Sequence, residues 1–203
     1  MDELGVRALA QSVSRILAPG RTYRIPSYQR SYSWQERDAG ALLQDLLDGC
    51  QRDREHFLGA IVTVEPDENG LMEVIDGQQR LTTLSLLIAI LRDRAKNASR
   101  SDVLDGLLND TNGQARLRLN HVDDRYFSLA VRRKYSTLSP DEIPIESDSH
   151  GLIRDNMIAM AEIVEAIGER RSKELETFLQ SGCPIIHAEV NNRDMGYRVF
   201  QVL

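Results

Sequence analysis

The stretch that most constrains this chain covers residues 73–84 and reads E-V-I-D-G-Q-Q-R-L-T-T-L. A short apolar run with strand character ends at Asp76 and Gly77, and residues from about 79 to 96 then carry apolar side chains at helical spacing. We therefore predict a strand, a tight turn and a helix. Such a turn exposes unpaired N–H groups at the positive end of the helix dipole, so it suits a phosphate or another anion.

The same turn also has a purely structural interpretation. Gln and Thr side chains in a first helical turn can simply cap the helix, and Arg80 can simply pair with Asp76. The turn alone leaves both interpretations open, and the choice between them depends on the rest of the chain.

A second polar and aromatic motif lies at residues 25–34, with the sequence I-P-S-Y-Q-R-S-Y-S-W. The segment S-W-Q-E that begins at Ser33 is a capping box, so we predict a helix that starts after Ser33 and runs to about residue 48. Pro26 ends a short strand predicted over residues 22–25. The loop between strand and helix is therefore held at both ends.

The side chains of this loop can bind a nucleotide or a nucleic-acid backbone. Tyr28 and Tyr32 offer stacking faces, Gln29 offers an amide and Arg30 offers a guanidinium. In the structural alternative, Tyr28 and Trp34 anchor the core and Arg30 holds a buried carboxylate. We expect Trp34 to be structural, and Gln29 and Arg30 to be functional.

The overall composition is that of a globular protein of one or two domains. The formal net charge of −6 argues against a chain that is basic throughout. Charge is uneven, however: residues 114–135 hold six Arg or Lys against two acids, and residues 1–37 are also locally basic. Each basic segment can meet phosphate or can be an ordinary mixed surface.

Two Cys residues far apart in the sequence make neither a disulfide framework nor a zinc site, which favours a reducing cytoplasm. There is no signal sequence, and the longest apolar run, residues 86–91, is too short to span a bilayer. We therefore predict a cytoplasmic protein with no membrane partner.

The remaining pattern predicts alternating helices and strands. Helices are expected over residues 2–17, 101–109, 122–135, 149–167 and 172–180, with another opening at 197–203. Strands are expected over residues 56–65, 71–75, 115–120 and 184–190, the first two joined as an antiparallel hairpin.

Several common catalytic sites are absent from the sequence. It contains no Walker A loop, no G-x-G-x-x-G after a strand, no H-E-x-x-H and no G-x-S-x-G. A hydrolase of this composition would position phosphates with Arg and amide donors, while a carboxylate holds a metal or a water. Asp76 is the best carboxylate for that role, and Arg80 is the best cation.

Two motifs in this order resemble a known family. The segments I-P-x-Y-Q-R-x-Y-x-W at 25–34, F-L-G-A-I at 57–61 and D-G-Q-Q-R-L-T-T-L at 76–84 resemble the N-terminal domain of the GmrS/GmrD type IV restriction family. That family includes SspE-like phosphorothioate-sensing phage-defence proteins. The close match spans roughly the first 90 residues, and the final Y-R-V-F-Q-V-L is similar to a later family helix.

The resemblance implies an α+β fold with a ParB/sulfiredoxin-like core, that is, a small mixed sheet with several packed helices and a helical C-terminal portion. Residues 1–135 would form the nucleotide-binding core, and residues 136–203 a helical extension with one strand in the same domain. D-G-Q-Q-R would bind and hydrolyse GTP or another nucleoside triphosphate. The full protein would add a C-terminal HNH-type nuclease domain, and the partner would be DNA with phosphorothioate or modified bases.

Turn chemistry and resemblance together assign roles to particular residues. Catalysis would fall to Asp76 and Arg80, with Asp76 also the candidate ligand of a divalent metal such as Mg²⁺. Phosphate would be bound by Gly77, Gln78, Gln79, Thr82, Thr83, Gln29 and Arg30. The DNA strand or its modification would be read by Tyr28, Arg30 and Tyr32. Two alternatives remain open: a non-catalytic module for the DNA backbone or phosphorothioate, and a purely structural interaction domain.

Overall fold

The protein has an α+β fold built on one mixed sheet, as predicted. The computed structural model describes residues 5–52 and 57–202. Within those ranges the sheet has six strands in the order β1-β6-β3-β4-β2-β5. The strands are β1 (Val6–Ser12), β2 (Thr22–Arg24), β3 (Ala60–Val64), β4 (Leu71–Asp76), β5 (Leu117–Arg118) and β6 (Pro184–Val190).

The described α-helices are α1 (Val13–Ile16), α2 (Glu36–Arg52), α3 (Gln78–Arg94), α4 (Ala98–Leu108), α5 (Asp124–Phe127), α6 (Asp148–Ser181) and α7 (Arg193–Phe200). A π-helical turn, Ser128–Arg132, continues α5, and two 3₁₀ turns precede α6. Gly168 interrupts α6 with φ 74° and ψ 172°, so its two halves correspond to the two helices predicted there. None of the described helices is both long and apolar enough to cross a bilayer.

Strand pairing joins distant parts of the chain. β3 and β4 form the predicted antiparallel hairpin, and β2 lies parallel to both β4 and β5. β6 lies between β1 and β3, antiparallel to β1 and parallel to β3. The segment after residue 135 therefore supplies an interior strand, while the division of the chain at that residue stays a prediction.

Both faces of the sheet are covered by helices. Alternate side chains such as Ile61 and Val74 join the main core beneath α2, α3, α4 and α6. Their neighbours Val62 and Ile75 join a smaller cluster, against which Met195 and Val199 of α7 pack. This alternation follows from the two-residue period of a strand. Helix α7 packs against β3 and β4 on the face of the smaller cluster.

Helix α3 lies at the centre of the helical layer. The sequence predicted one apolar face, but nearly every residue from Gln78 to Asp93 is buried, as expected for a helix that is apolar around most of its circumference. Strand β4 is followed after one residue by this buried helix. The sheet and the helix together therefore fix the position of the turn between them.

The predicted helix over residues 2–17 is wrong over residues 6–12 and correct only over Val13–Ile16; residues 2–4 lie outside the described ranges. Val6–Ser12 forms β1, and helix is confined to the single turn of α1. Each β1 residue has a partner in β6, from Val6 opposite Val190 to Ser12 opposite Pro184. Long-range pairing overrides the local helical spacing, and Leu9 is consequently 43% exposed.

Other differences concern the ends of elements. Helix α2 begins at Glu36 rather than after Ser33, and its first turn is capped by Asp38, whose carboxylate accepts the Gln35 N–H at 3.1 Å. Helix α7 begins at Arg193, four residues before the predicted start. The strand expected over residues 115–120 contracts to β5, and the helix expected over 122–135 divides into α5 and the π turn. His56, the predicted start of the strand that corresponds to β3, lies outside the described residues.

Candidate functional site

The two sequence motifs face one cavity of about 430 Å³, which we call the two-motif cavity. Its walls are the loop after β2, the end of β4, the start of α3, and α7. The lining residues are Gln29, Arg30, Trp34, Ile75, Asp76, Gly77, Gln78, Gln79, Arg80, Tyr197 and Phe200. Of the eleven residues assigned roles from sequence, seven therefore lie together here.

Gly77 makes the sharp turn between β4 and α3. Its φ of 89° is in the left-handed region, and an added Cβ would lie 2.3 Å from Cγ2 of Ile61. Only glycine fits this position. Helix α3 starts at the next residue, so its N-terminus opens on the cavity wall, where backbone N–H groups and the helix dipole favour an anion.

Two glutamines join the motifs to each other. Gln29 Nε2 donates to the Ile75 carbonyl at the end of β4, at 2.8 Å. Gln79 Oε1 accepts the Ser33 N–H at 2.8 Å, and Gln79 Nε2 donates to the Ser31 carbonyl at 3.3 Å. Each motif thus binds the main chain of the other, which fixes the width of the cavity between them.

Arg80 is held in a defined position. Its Nη1 donates to the Ala60 carbonyl at 2.8 Å, and a Cβ added at Gly59 would lie 2.8 Å from its Nη2. Burial lowers the pKa of Arg80, while the negative charge of Asp76 opposes that shift. With the exposed Arg30, the cavity wall carries two guanidinium groups and one carboxylate, so its net charge favours a phosphate.

Gln78 provides an acceptor without a protein partner. The residue is 8% exposed, and its Oε1 is buried with no hydrogen bond from any described residue. A buried acceptor of this kind costs free energy unless a ligand or a water donates to it. Gln78 therefore differs from Gln79, whose amide oxygen and nitrogen both bind the neighbouring loop.

Three residues assigned roles from sequence lie outside the two-motif cavity. Thr82 Oγ1 donates to the Gln78 carbonyl at 2.8 Å, and Thr83 Oγ1 donates to the Gln79 carbonyl at 2.9 Å. Tyr32 is 5% exposed, and its hydroxyl lies 2.8 Å from Thr83 Oγ1 and accepts from Asn156 Nδ2. The Tyr32 hydroxyl joins the loop to α3 and α6, whereas the two threonine hydroxyls donate within α3, and none of the three lines the cavity.

Tyr28, the fourth such residue, lies beside the cavity in a charged cluster. Its hydroxyl donates to Glu73 Oε1 at 2.7 Å, and the Arg193 guanidinium lies 5.3 Å from its ring centroid. Burial and the contact with Glu73 raise the pKa of Tyr28. Burial alone would raise the pKa of Glu73, but donors from Arg193, Tyr28 and Arg24 outweigh it, so the pKa lies below its usual value.

Aromatic residues that sequence reasoning did not assign complete the cavity. Tyr197 and Phe200 of α7 line it and remain 44% and 52% exposed. Trp34, expected to be structural, is partly buried against the core and also lines the cavity. The available signal was the Y-R-V-F segment at residues 197–200, noted for its family resemblance without a role in the site.

The residues that line the two-motif cavity fit a divalent metal only if a bound ligand supplies further oxygen atoms. No cluster of three or more His, Cys, Asp or Glu that could hold a metal occurs within residues 5–52 and 57–202. Mg²⁺, however, is commonly held by one or two carboxylates and the phosphates of a bound nucleotide. Asp76 is the carboxylate among the lining residues and suits that arrangement.

Fold and site together define an α+β domain with a positively charged cavity at the junction of a strand and a helix, closed by a Gln-Arg loop and an aromatic helix. The sequence profile of the GmrSD restriction endonuclease N-terminal domain matches residues 13–203. The chain therefore belongs to this family, as the two motifs indicated. No curated protein matches the chain.

Proposed function

We propose that this domain binds and hydrolyses a nucleoside triphosphate in the two-motif cavity. One observation carries the proposal: the Gln29-Arg30 loop and the residues from Asp76 to Arg80 line the same cavity at the N-terminus of α3. A helix N-terminus with two arginines and one carboxylate suits a polyphosphate, and an aromatic wall suits a nucleobase.

In this proposal, the lining residues have separate roles in nucleotide binding and hydrolysis. The phosphates lie at the start of α3, between Arg80 and Arg30, whose charges offset the charge that develops during transfer. Asp76 orients the attacking water or holds a divalent cation that neutralises phosphate charge. Gln78 Oε1 accepts a hydrogen bond from a hydroxyl, an amine or a water of the bound ligand. Tyr197 and Phe200 pack against the base.

Membership of a restriction family sets the context for this activity. We propose that nucleotide hydrolysis regulates DNA cleavage by a C-terminal HNH-type nuclease domain, and that the DNA sensed carries a phosphorothioate or a modified base. The resemblance also supports a ParB/sulfiredoxin-like description of the core. These proposals about the nuclease domain, the DNA and the core rest on the two sequence motifs and on the charge of the cavity.

Hydrolysis is tested by measuring phosphate release from a panel of nucleoside triphosphates. Asp76→Ala and Arg80→Ala are each expected to lower kcat/KM by about 10²–10³-fold, the usual cost of removing one group that stabilises a transition state. Asp45→Ala and Arg15→Ala remove the same charges from exposed sites outside the cavity and serve as controls. Full activity in both cavity variants would disprove the assignment.

A second candidate is an anion-binding module without catalysis. It is favoured by the single carboxylate among the lining residues, because two arginines and one acid can grip a DNA phosphate or phosphorothioate with no chemistry following. Absence of phosphate release from every nucleotide, with and without DNA, together with binding that depends on the DNA modification, would favour this module.

A further inference from the structure

A second cavity, of about 810 Å³, shares no lining residue with the two-motif cavity. It is bounded by the end of α4, the turn after it, β5, α5 and the π turn. We call it the arginine groove because Arg118, Arg132 and Arg133 all line it. All three come from the locally basic segment 114–135, which the proposed nucleotide site leaves without a role.

The acids of the groove are already engaged. Asp105 accepts from Arg92 Nη1 at 3.0 Å, and Asp110 accepts the N–H groups of its own turn at 2.7 and 2.8 Å. Asp124 Oδ1 accepts the Leu119 N–H at 2.9 Å. Acids and arginines are equal in number along the groove, and each of the three carboxylates accepts a hydrogen bond from a protein donor.

The arginines have weaker contacts with carboxylates. Arg118 Nη2 donates to the neutral amide of Gln114 at 3.1 Å, and Arg132 Nη2 lies 3.9 Å from Oδ2 of Asp124. Arg133 is exposed and has no salt bridge to a carboxylate within the described ranges. Burial lowers the pKa of Arg132, the negative charge of Asp124 opposes that shift, and the positive charge of Arg118 adds to it to a smaller extent. An anion in the groove would relieve this repulsion.

We propose that the arginine groove binds the phosphodiester backbone of duplex DNA. The proposal rests on the proposed function in one respect, because a domain of a restriction endonuclease family would engage DNA. The guanidinium groups come from β5 and from the end of the π turn, and all three line one open groove. Several arginines along one groove suit a chain of phosphates, and phosphate contacts supply affinity without reading sequence.

The segment between β5 and α5 connects this groove to the nucleotide site. Leu119, Asn120 and Asp123 line a small cavity together with Arg30 and Gln78 of the two-motif cavity. Asp123 Oδ2 accepts the Tyr32 N–H at 3.0 Å. DNA seated on Arg118 would therefore lie one short segment from the loop that carries Arg30, which gives bound DNA a direct path to the hydrolytic site.

The test compares duplex binding by the wild type and by the Arg118→Gln/Arg133→Gln double variant over a range of salt concentrations. The control is Arg15→Gln/Arg170→Gln, which removes the same charge from exposed arginines outside the groove. The groove variant should bind all duplexes more weakly, modified or not. In a plot of log association constant against log salt concentration, the magnitude of the negative slope should decrease by about 2, one for each lost phosphate contact.

Hydrolysis without DNA should be unchanged in the groove variant, and any stimulation by DNA should require a higher DNA concentration. An affinity and a salt slope equal to those of the control variant would overturn the proposal, and so would a wild type that binds no duplex at low salt. Absence of hydrolysis in all proteins, with the predicted loss of DNA binding, would count against the nucleotide site alone and would support the groove.

Discussion

The two Gln-Arg pairs, Gln29-Arg30 and Gln79-Arg80, lie on different walls of one cavity and divide their contacts in the same way. In each pair the glutamine binds the main chain of the other motif, and the arginine lines the cavity. The arginines differ, however. Arg80 is partly buried and tied to the Ala60 carbonyl, whereas Arg30 is exposed. One wall is therefore preorganised, and the other carries a charge that is free to adjust to a ligand.

This difference predicts unequal effects of removing the two arginines. Arg80→Ala should lower kcat/KM for nucleotide hydrolysis by about 10²–10³-fold, because a fixed charge needs no reorganisation in the transition state. Arg30→Ala should cost roughly tenfold, mainly through KM, as expected for a group that binds ground state and transition state alike. Steady-state kinetics of both variants measure the two effects. Equal losses in kcat would remove the distinction between a fixed wall and an adjustable one.

The preorganisation of Arg80 can be tested without changing Arg80 itself. In Gly59→Ala the new Cβ would lie 2.8 Å from Arg80 Nη2, so the guanidinium has to move. Displacement of a catalytic group by about 1 Å can cost up to about 10²-fold in rate. Gly20→Ala is the matched control, since Gly20 has a similar φ of 82° but nothing within 4 Å of its added Cβ.

Both glycine variants should be less stable than the wild type because of backbone strain. Only Gly59→Ala should also hydrolyse nucleotide more slowly while it is still folded. Kinetic measurement at a temperature where both proteins remain folded separates the two effects. Parallel behaviour of the two variants would mean that the position of Arg80 is not critical.

The glutamines should differ in their effect on stability. Gln79→Ala removes two hydrogen bonds to the loop and should lower the free energy of unfolding by about 2 kcal/mol, while Gln29→Ala removes one and should cost about 1 kcal/mol. Urea denaturation measures both. Gln44→Ala, at an exposed position of α2, should change stability little. A larger loss for Gln29→Ala would show that the loop depends mainly on β4 and not on α3.

The sequence predicted the parts of this site that depend on neighbouring residues. The strand, the turn at Gly77 and the helix that follows were all correct, because strand character, glycine and helical spacing act over a few residues. The hairpin of β3 and β4 and the strand β6 were predicted for the same reason. The family assignment was also correct, since it rested on two contiguous motifs.

The sequence did not predict what depends on distant pairing. Residues 6–12 have helical spacing, yet they become a strand because β6, far along the chain, offers an edge. Likewise, Gln79 is a polar residue beside a predicted anion site, and only the fold determines that its amide binds the loop of residues 31–33. Phe200 joins the site from the other end of the chain, and no local pattern indicates that contact.

The smallest expected effect concerns Glu73, which binds Tyr28 in the loop that carries Arg30. Glu73 binds Tyr28, Arg24 and Arg193, and its pKa is lowered in the folded protein. A carboxylate with a depressed pKa adds stability above its unfolded pKa, and that stability is lost as the pH falls through the folded value. In Glu73→Gln this contribution is absent at every pH. The difference in unfolding free energy between wild type and variant should therefore be largest near pH 7.

That difference should narrow once the pH falls below the unfolded-state pKa of a glutamate, about 4.3, and continue to narrow through the lowered folded-state pKa, because the carboxylate is protonated first in the unfolded state. Glu68→Gln, in the exposed hairpin loop, should track the wild type throughout. Urea denaturation at several pH values measures the difference, which we expect to be smaller than the effect of Gln79→Ala. Arg80 is held by a main-chain carbonyl, which does not titrate, whereas the loop that carries Arg30 is held partly by Glu73. Acid should therefore weaken the contacts of the loop before those of Arg80. A difference that stays constant from pH 7 to pH 3 would mean that the Tyr28 cluster does not hold the loop through the charge of Glu73.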